Sequence, residues 1–447
     1  MNALRVPYEA RMSVVGYASE GSACVQGAAS AKAGPTKHVE EPRASARGDS
    51  TLEGHPVGLL TGQKMLDLSR LLPGPYSSLL LADLGMEIVK IEDLEMGDYM
   101  RKMGSARKED SAYFLAVNRN KKSMTLNLKV REGREIFFKL ITTYDVILES
   151  FRPGVMDRLG IGYEELKKRN PRIILCSLSG YGQDGPYQER SGHDINYMGL
   201  GGVLDLTGEK EKAPVIPGVQ MADLGAGGMM SAIAILAAII HRGKTGEGQH
   251  LDVSMLDGVI SWLSIHAGKY FMDGELPKRG EMHLTGRYAC YHVYETKDRR
   301  YMSLGALEPK FWRNFCETIE RRDLIDKQYV EGGERDRLIE EVQETLRTKT
   351  QKEWVTIFKN ADACCEPILN LEEVFHHPHV LHRQMVKEIE HPVEGKVRAV
   401  GNPIKSSQYP FETQTPPPKY GEHTMEVLKG VGYSEKEIQY FKDVKAI

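Results

Sequence analysis

Three residues of this 447-residue chain combine an acid–base side chain with an unusual sequence setting. His193 lies in the segment SGHDINY, Glu308 lies in LGALEPK, and Asp223 stands just before the most apolar stretch of the sequence. A carboxylate at the mouth of an apolar helix is desolvated, which raises its pKa toward neutrality, where a general acid or base works best. Periodicity alone favours structural roles instead: a loop histidine, a helix N-cap at Asp223 and a first-turn carboxylate at Glu308.

The segments between these residues predict an α/β fold. Short apolar runs typical of strands alternate with helical runs from residue 58 onward, the strands at 65–68, 87–91, 146–148 and 173–176. Such alternation predicts a parallel sheet with helices on its faces, and ligands of such folds gather at the carboxyl ends of the strands. The loops at 149–154 and 177–186, which follow the third and fourth strands, are therefore the expected site.

Composition shifts along the chain predict five segments. The first 55 residues are rich in Ala, Ser and Gly without sustained apolar periodicity, which indicates a poorly ordered extension. We expect this extension at 1–55, the first part of a large ligand-binding α/β domain at 56–255, a linker helix at 256–280, a small α+β domain at 281–380 and a return segment completing the large domain at 381–447.

Charge and cysteine usage exclude several classes of protein. Lys plus Arg is 59 and Asp plus Glu is 62, so nothing electrostatic favours nucleic acid, and an anionic ligand needs a local basic cluster. Six scattered cysteines without a C-x-x-C motif indicate a reducing compartment rather than disulfides or zinc. The longest apolar run, residues 227–240, falls short of the roughly 20 residues that a membrane span needs, so we interpret it as a buried helix of a soluble protein. We expect a cytoplasmic location, or the mitochondrial matrix if the N-terminal extension is a transit peptide.

Several blocks in this order resemble the alpha-methylacyl-CoA racemase branch of the family III CoA-transferases. They are GHDINY at 192–197, the aspartate at 223, GALEP at 305–309, ESFRPGVMDRLGIG at 149–162 and TGEGQ at 245–249, and the likeness extends from residue 58 to about 408. The resemblance implies a Rossmann-like sheet that binds an acyl-CoA at its strand ends, a smaller α+β domain and an interlocked homodimer. It implies no metal and no permanently bound cofactor, because CoA enters as part of the thioester substrate.

The resemblance also assigns roles to the acid–base candidates. His193 and Asp223 match the two groups that flank the carbon next to the thioester carbonyl, Glu308 matches the carboxylate that pairs with the histidine, and the backbone N–H of Asp194 matches the donor to the thioester oxygen. The chemistry is consistent, because an enolate oxygen needs a fixed donor and inversion needs two titratable groups on opposite faces. The expected reaction is inversion of the α-carbon of a 2-methylacyl-CoA.

Two alternatives stay open. Transferases of this family use the carboxylate at the Asp223 position as a nucleophile, which forms an aspartyl-CoA thioester through an anhydride and moves CoA between carboxylic acids. His193 favours the racemase, because the transferase branch generally lacks a histidine there. An acyl-CoA-binding protein without activity is the second alternative. The altered Gly-Gly-Ala block at 286–291 leaves the acyl group unassigned.

Residues matching the CoA-binding positions of the family cluster in three blocks. They are Leu126, Asn127, Leu128, Lys129, Ser150, Phe151, Arg152, Arg158, Gly192, Asn196 and Tyr197. Further basic candidates for phosphate are Arg119, Lys121 and Lys122, and the alternative for such a run is a solvated surface. Asp93 stands where racemases often place a basic residue, so one phosphate or adenine contact stays unassigned. The tract HHPH at 376–379 resembles a metal site, but its proline breaks helical spacing and no cysteine or carboxylate accompanies it.

Overall fold

The computed structural model describes residues 58–106, 108–409, 413 and 415–447, so the predicted extension at 1–55 lies outside the described residues. The strands are β1 (Lys64–Asp67), β2 (Glu87–Glu92), β3 (Lys121–Thr125), β4 (Val146–Glu149), β5 (Ile174–Ser179), β6 (His250–Ser254), β7 (Tyr291–Glu295), β8 (Tyr301–Gly305), β9 (Cys365–Pro367), β10 (Val386–His391) and β11 (Gly395–Val400).

The α-helices are α1 (Pro73–Asp83), α2 (Ala112–Val117), α3 (Arg131–Leu140), α4 (Val155–Arg158), α5 (Tyr163–Arg169), α6 (Asp194–Leu200), α7 (Val203–Leu206), α8 (Met230–Thr245), α9 (Met255–Ser261), α10 (Ser264–Asp273), α11 (Pro309–Thr318), α12 (Gly332–Leu346), α13 (Gln351–Phe358), α14 (Leu371–His376), α15 (Pro378–His382), α16 (Thr424–Gly430) and α17 (Glu435–Asp443). A π-helical segment, Ala222–Met229, leads directly into α8, and short 3-10 helices occupy Tyr99–Lys102 and Arg322–Lys327.

A six-stranded sheet organises most of the chain. Its order is β3-β2-β1-β4-β5-β6 and every neighbouring pair is parallel, which confirms the predicted Rossmann-like α/β fold. The four predicted strands correspond to β1, β2, β4 and β5. β3 and β6 were not predicted, because their sequences KKSMT and HLDVS lack an apolar run.

The strand order reverses between β1 and β4, and this reversal fixes where a ligand can enter. Chains leaving the two strands turn to opposite sides of the sheet, so a crevice opens at their carboxyl ends. Residues 69–72 follow β1, and residues 150–153 follow β4. Pro73 then begins α1, where its missing N–H costs no helical hydrogen bond.

Apolar side chains cover both faces of this sheet. On one face Phe137 of the amphipathic helix α3 packs with Leu66 and Val89, together with Leu428 and Phe441 from the C-terminal helices. On the other face Ile235 of α8 packs with Ile88 and other strand residues. The C-terminal segment therefore returns to the large sheet, while the full division into domains stays a prediction.

A second, antiparallel sheet of order β7-β8-β9 forms the centre of a separate core. Trp312 and Phe315 of α11 pack there with Trp354 and Phe358 of α13, and all four side chains are buried. β10 and β11 form an antiparallel hairpin of their own.

The long apolar helix is less buried than we predicted. The π-helical segment and α8 form one helix, Ala222–Thr245, and among the described residues it alone has the length and composition to cross a membrane. Of the most apolar 18-residue stretch of this helix, 39% is buried within the chain. Ile235 faces the sheet, whereas Ile233 and Ile240 are 59% and 62% exposed. The prediction of a buried helix is therefore right for one face and wrong for the other.

Candidate active site

A cavity of about 460 Å³ lies at the reversal of strand order, and we call it the switch-point cavity. It is lined by the loops after β1, β4 and β5, by the segment before α6 and by the start of the π-helical segment. Its lining includes His193, Asp223, Gly192, Tyr197, Ser150, Phe151 and Arg152. His193 and Asp223 therefore line the same cavity. A larger cavity of about 790 Å³ beside β7 and β8 contains neither group.

His193 is held at the N-cap position of α6 by the helix that follows it. Its backbone N–H donates to Oδ1 of Asn196 at 3.0 Å. The hydroxyl of Tyr197 donates to the carbonyl of Gly192 at 2.6 Å, and the Tyr197 ring is buried. Gly180 and Gly192 permit this contact, because a Cβ on either would come within 2.8 Å of a tyrosine atom. The first turn of α6 thus fixes the loop that presents the imidazole.

Asp223 lies in a desolvated position inside the cavity wall. It is the second residue of the π-helical segment rather than a helix N-cap, so the structural alternative for this residue is wrong. Burial, and secondly the charge of Asp194, raise the pKa of Asp223 to about 7. Gly228 brings the segment against α1, since a Cβ there would lie 3.0 Å from the carbonyl oxygen of Pro73. π-Helical turns of this kind occur frequently at functional sites.

Asp194 connects the two elements that carry His193 and Asp223. Its Oδ1 accepts the backbone N–H of Asp223 at 3.1 Å, so the start of α6 and the π-helical segment are joined directly. Asp194 is not among the residues that line the switch-point cavity. The role of its own N–H as a donor to the substrate stays a prediction.

Glu308 does not line the cavity that contains His193. It occupies the N-cap position of α11, three residues after β8 ends, is exposed and makes no side-chain capping hydrogen bond. It does not line the switch-point cavity. One chain therefore does not bring the predicted histidine partner into the site.

A second cavity of about 270 Å³, which we call the side cavity, adjoins the first. Four consecutive predicted CoA contacts line it: Leu126, Asn127, Leu128 and Lys129. Arg70 and Phe151 line both cavities, so the two adjoin at these side chains. Arg158 and Asn196 line neither cavity: Arg158 is exposed at the end of α4, and Asn196 caps α6.

The basic run after α2 is mostly internal structure. Arg119 is buried and pairs with Asp83 at 2.5 Å, which removes it from the phosphate candidates. Lys121 is fully buried and donates to the carbonyl of Pro75 at 2.8 Å, and burial lowers its pKa to about 7. Lys122 pairs with Glu426 at 3.0 Å. The sequence analysis offered a phosphate site or a solvated surface for this run, and neither describes the buried residues Arg119 and Lys121.

Two contributions from the strand ends were missed by the sequence analysis. Leu71 adopts a left-handed backbone conformation, φ 63°, and its N–H donates to the buried carboxylate of Asp98 at 3.0 Å. Glu149 is buried at the end of β4, where burial raises its pKa to about 7, and it accepts the N–H of Phe151 at 2.7 Å. Both interactions shape loops that line the cavities. The available signal was position alone, since both loops directly follow predicted strands.

No group of three His, Cys, Asp or Glu side chains arranged to hold a metal ion occurs in the part of the chain that the structure describes. In the HHPH tract, the ring of His376 contacts the carbonyl of Glu372 instead.

A parallel sheet with acid–base groups at its topological switch point defines an α/β protein built to bind a ligand across its strand ends. The chain belongs to CoA-transferase family III, whose profile matches residues 60–424. It is 36% identical over 379 residues to succinyl-CoA:glutarate CoA-transferase of Homo sapiens, with 83% of this chain and 86% of that one covered. It is also 33% identical over 391 residues to alpha-methylacyl-CoA racemase of Homo sapiens, with 87% and 97% covered.

Solved structures agree with this membership. A CAIB/BAIF family protein from Brucella suis has a TM-score of 0.73 at 31% identity, over 83% of this chain and 99% of that one. The resemblance seen in the sequence is therefore confirmed at the level of the family, which is enzymatic. Relatives of similar identity carry the names of both reactions, so the membership alone does not choose between them.

Proposed function

We propose that this protein is an acyl-CoA racemase or epimerase that inverts the α-carbon of a 2-methylacyl-CoA thioester. The observation that carries the proposal is that His193 and Asp223 face the same cavity at the switch point. A pKa of Asp223 near 7 allows its carboxyl group to act as either acid or base at neutral pH.

The reaction follows from two groups on opposite sides of one carbon. One of them takes the α-proton, the C–H bond breaks, and its electron pair passes into an enolate. The other group gives a proton to the opposite face, which inverts the centre and leaves the enzyme ready for the reverse reaction. In this proposal the N–H of Asp194 donates to the enolate oxygen, where a fixed donor in a dry site is most effective.

A CoA-transferase is the second candidate, and the 36% identity to a succinyl-CoA:glutarate CoA-transferase favours it. In that reaction the Asp223 carboxylate attacks the thioester carbonyl and forms a mixed anhydride as CoA thiolate leaves. The thiolate then attacks the aspartyl carbonyl, which releases the donor acid and leaves an aspartyl-CoA thioester. An acceptor acid reverses both steps and departs as the new CoA ester.

Incubation of one enantiomer of a 2-methylacyl-CoA in D₂O, with and without a free dicarboxylic acid, separates the candidates. A racemase incorporates deuterium at the α-carbon and loses optical purity without any acceptor. We expect His193→Gln to reduce this exchange by at least about 100-fold, since positioned proton transfer contributes 10²–10⁴-fold. His379→Gln, an exposed histidine that lines neither cavity, is the control. Transfer to the acid without exchange, with hydroxylamine trapping at Asp223, would instead establish the transferase.

We further propose that two chains form the working unit and that each supplies Glu308 to the other's site. Helix α10 has no buried residue, and its Ile265, Phe271 and Met272 are 76%, 79% and 91% exposed. An exposed apolar face of this kind is typical of a protein interface. A dimer also gives Glu308 a route to His193 that the single chain lacks.

Sedimentation analysis tests the dimer directly: the wild-type chain should be dimeric, and Phe271→Asp should shift it toward monomer. Co-expression of His193→Gln and Glu308→Gln chains tests the exchange of Glu308. If the glutamate acts across the interface, mixed dimers regain one intact site and activity returns. If the co-expressed variants remain inactive, Glu308 does not act in the partner's site.

A further inference from the structure

Arg70 stands where the two cavities meet. It lies three residues after β1 ends, and with Phe151 it is one of two described residues that line both cavities. Its guanidinium lies 5.8 Å from the Phe151 ring centroid and 5.1 Å from that of Tyr99. Any ligand that reaches from one cavity into the other passes this side chain.

Neighbouring groups hold the guanidinium at the junction and leave some of its N–H donors available. Nη2 pairs with Oδ2 of Asp93 at 2.9 Å, and Nη1 donates to the hydroxyl of Tyr99 at 2.9 Å. A guanidinium has five N–H donors, so these two contacts leave three for another acceptor. The Arg70 side chain is 30% exposed and therefore accessible to a ligand.

Asp93 is itself fixed and charged. Its Oδ1 accepts the backbone N–H groups of Glu95 and Met96 at 3.0 and 2.9 Å. Burial acts to raise its pKa, but these N–H groups and Arg70 outweigh it and hold the pKa below the usual value. Asp93 can therefore anchor Arg70, although its own charge is the wrong sign for a phosphate.

The charge around the side cavity makes Arg70 important. Its described lining carries the carboxylates of Glu92, Asp93 and Glu95 against the cations Arg70 and Lys129. Lys129 is 74% exposed and lies 3.8 Å from Glu95. A multiply charged anion entering this cavity meets one cation at the junction that is held in place on both sides, and an arginine fork suits phosphate oxygens.

We propose that Arg70 binds the diphosphate of the CoA thioester at the junction, and that Asp93 is a positioning residue that holds its guanidinium there. The inference rests on the proposed binding of a CoA thioester. With the thioester in the switch-point cavity and the nucleotide in the side cavity, the diphosphate lies along the path that crosses Arg70.

Calorimetric titration of the full-length protein with three probes tests the assignment. CoA and dephospho-CoA carry the diphosphate, whereas pantetheine lacks it. We expect Arg70→Gln to weaken CoA and dephospho-CoA alike, by roughly ten- to a hundredfold for a charge-assisted contact, and to leave pantetheine unchanged. Arg70→Lys should fall between, because it keeps the charge and loses the fork. The proposal is overturned if Arg70→Gln weakens the binding of CoA alone, weakens the binding of all three probes equally, or weakens none of them.

Arg300→Gln is the matched control, because Arg300 is 35% exposed, pairs with Glu373 and lines none of the cavities described above. Asp93→Asn should weaken CoA binding in the wild-type chain and have no further effect in the Arg70→Gln background. Tighter binding by Asp93→Asn, or additive losses, would show that Asp93 does not position Arg70.

These outcomes are independent of the reaction. If the wild-type chain neither racemises nor transfers but Arg70→Gln shows the diphosphate-selective loss, only the proposed function fails. If the chain turns over acyl-CoA and Arg70→Gln binds all probes normally, only the present inference fails.

Discussion

Replacing Asp223 with asparagine should stabilise the fold at alkaline pH. Burial and the charge of Asp194 raise the pKa of Asp223 from 3.8 to about 7 in the folded chain, so its ionised form is disfavoured there relative to the unfolded chain. Because the folded pKa is the higher one, the favourable contribution of the neutral carboxyl is complete below about pH 4 and is lost as the pH rises to about 7. Asparagine stays neutral and escapes this loss.

The size of the effect follows from the two pKa values. Each tenfold change in proton affinity is worth about 1.4 kcal/mol. Linkage between 3.8 and about 7 therefore gives Asp223→Asn a gain in the free energy of unfolding of about 4 kcal/mol at pH 8.5 and about 2 kcal/mol at pH 5. The difference between the two pH values, roughly 2–3 kcal/mol, isolates the carboxyl from any change in packing.

Urea unfolding followed by circular dichroism, at one protein concentration and both pH values, measures this difference. Asp194→Asn should recover part of the gain at pH 8.5, because it removes the second cause of the raised pKa while its amide oxygen can still accept the N–H of Asp223. Asp184→Asn, a substitution at an exposed site, is the control for the general effect of replacing a carboxylate. A gain at pH 8.5 no larger than the gain at pH 5 would refute the reasoning, since Asp223 would then not be desolvated.

Three further substitutions test the framework that supports the site. Asp98→Asn should lower the free energy of unfolding by about 3–5 kcal/mol in urea, because it leaves Lys90 charged, fully buried and without its 2.8 Å ion pair; a loss below about 1 kcal/mol would contradict this. Gly133→Ala should lower the free energy of unfolding by about 1–3 kcal/mol and weaken CoA binding, because a Cβ there would meet the carbonyl oxygen of Asn127, which lines the side cavity. An unchanged CoA affinity in calorimetry would speak against this coupling. Phe315→Ala should lower the free energy of unfolding by about 3–5 kcal/mol in thermal or urea unfolding, because it opens a cavity in the second core. A smaller loss of stability would show that the Phe315 side chain is not fully packed.

Some of the strands could be predicted from local pattern and some could not. β1, β2, β4 and β5 each contain adjacent apolar residues and are buried along nearly their whole length, so their composition predicted strands. β3 contains Lys121, whose fully buried ammonium is satisfied by the carbonyl of Pro75 and the side chain of Asn118. Residue type alone predicts that a lysine is exposed, and its burial becomes evident only when the groups that accept its hydrogen bonds are known.

The candidate site divides in the same way. His193, Asp223 and the segment at 126–129 were recognisable because the residue types and their order resemble a family whose chemistry needs them. Arg70 and Asp93 were not combined, because they follow different strands and meet only where β1 and β2 lie side by side. Glu308 was predicted at the site, yet in the single chain it lies at the start of α11 and does not line the switch-point cavity.

The amino-acid sequence by itself determined the sheet class, the family and the side chains able to move a proton, because each is written in residue type and order. Tertiary structure alone decided which of those side chains share a cavity, which basic residues are buried in ion pairs and how far the Asp223 carboxyl is removed from water. Those properties depend on distance and on dielectric surroundings, and both are set by contacts between segments far apart in the chain.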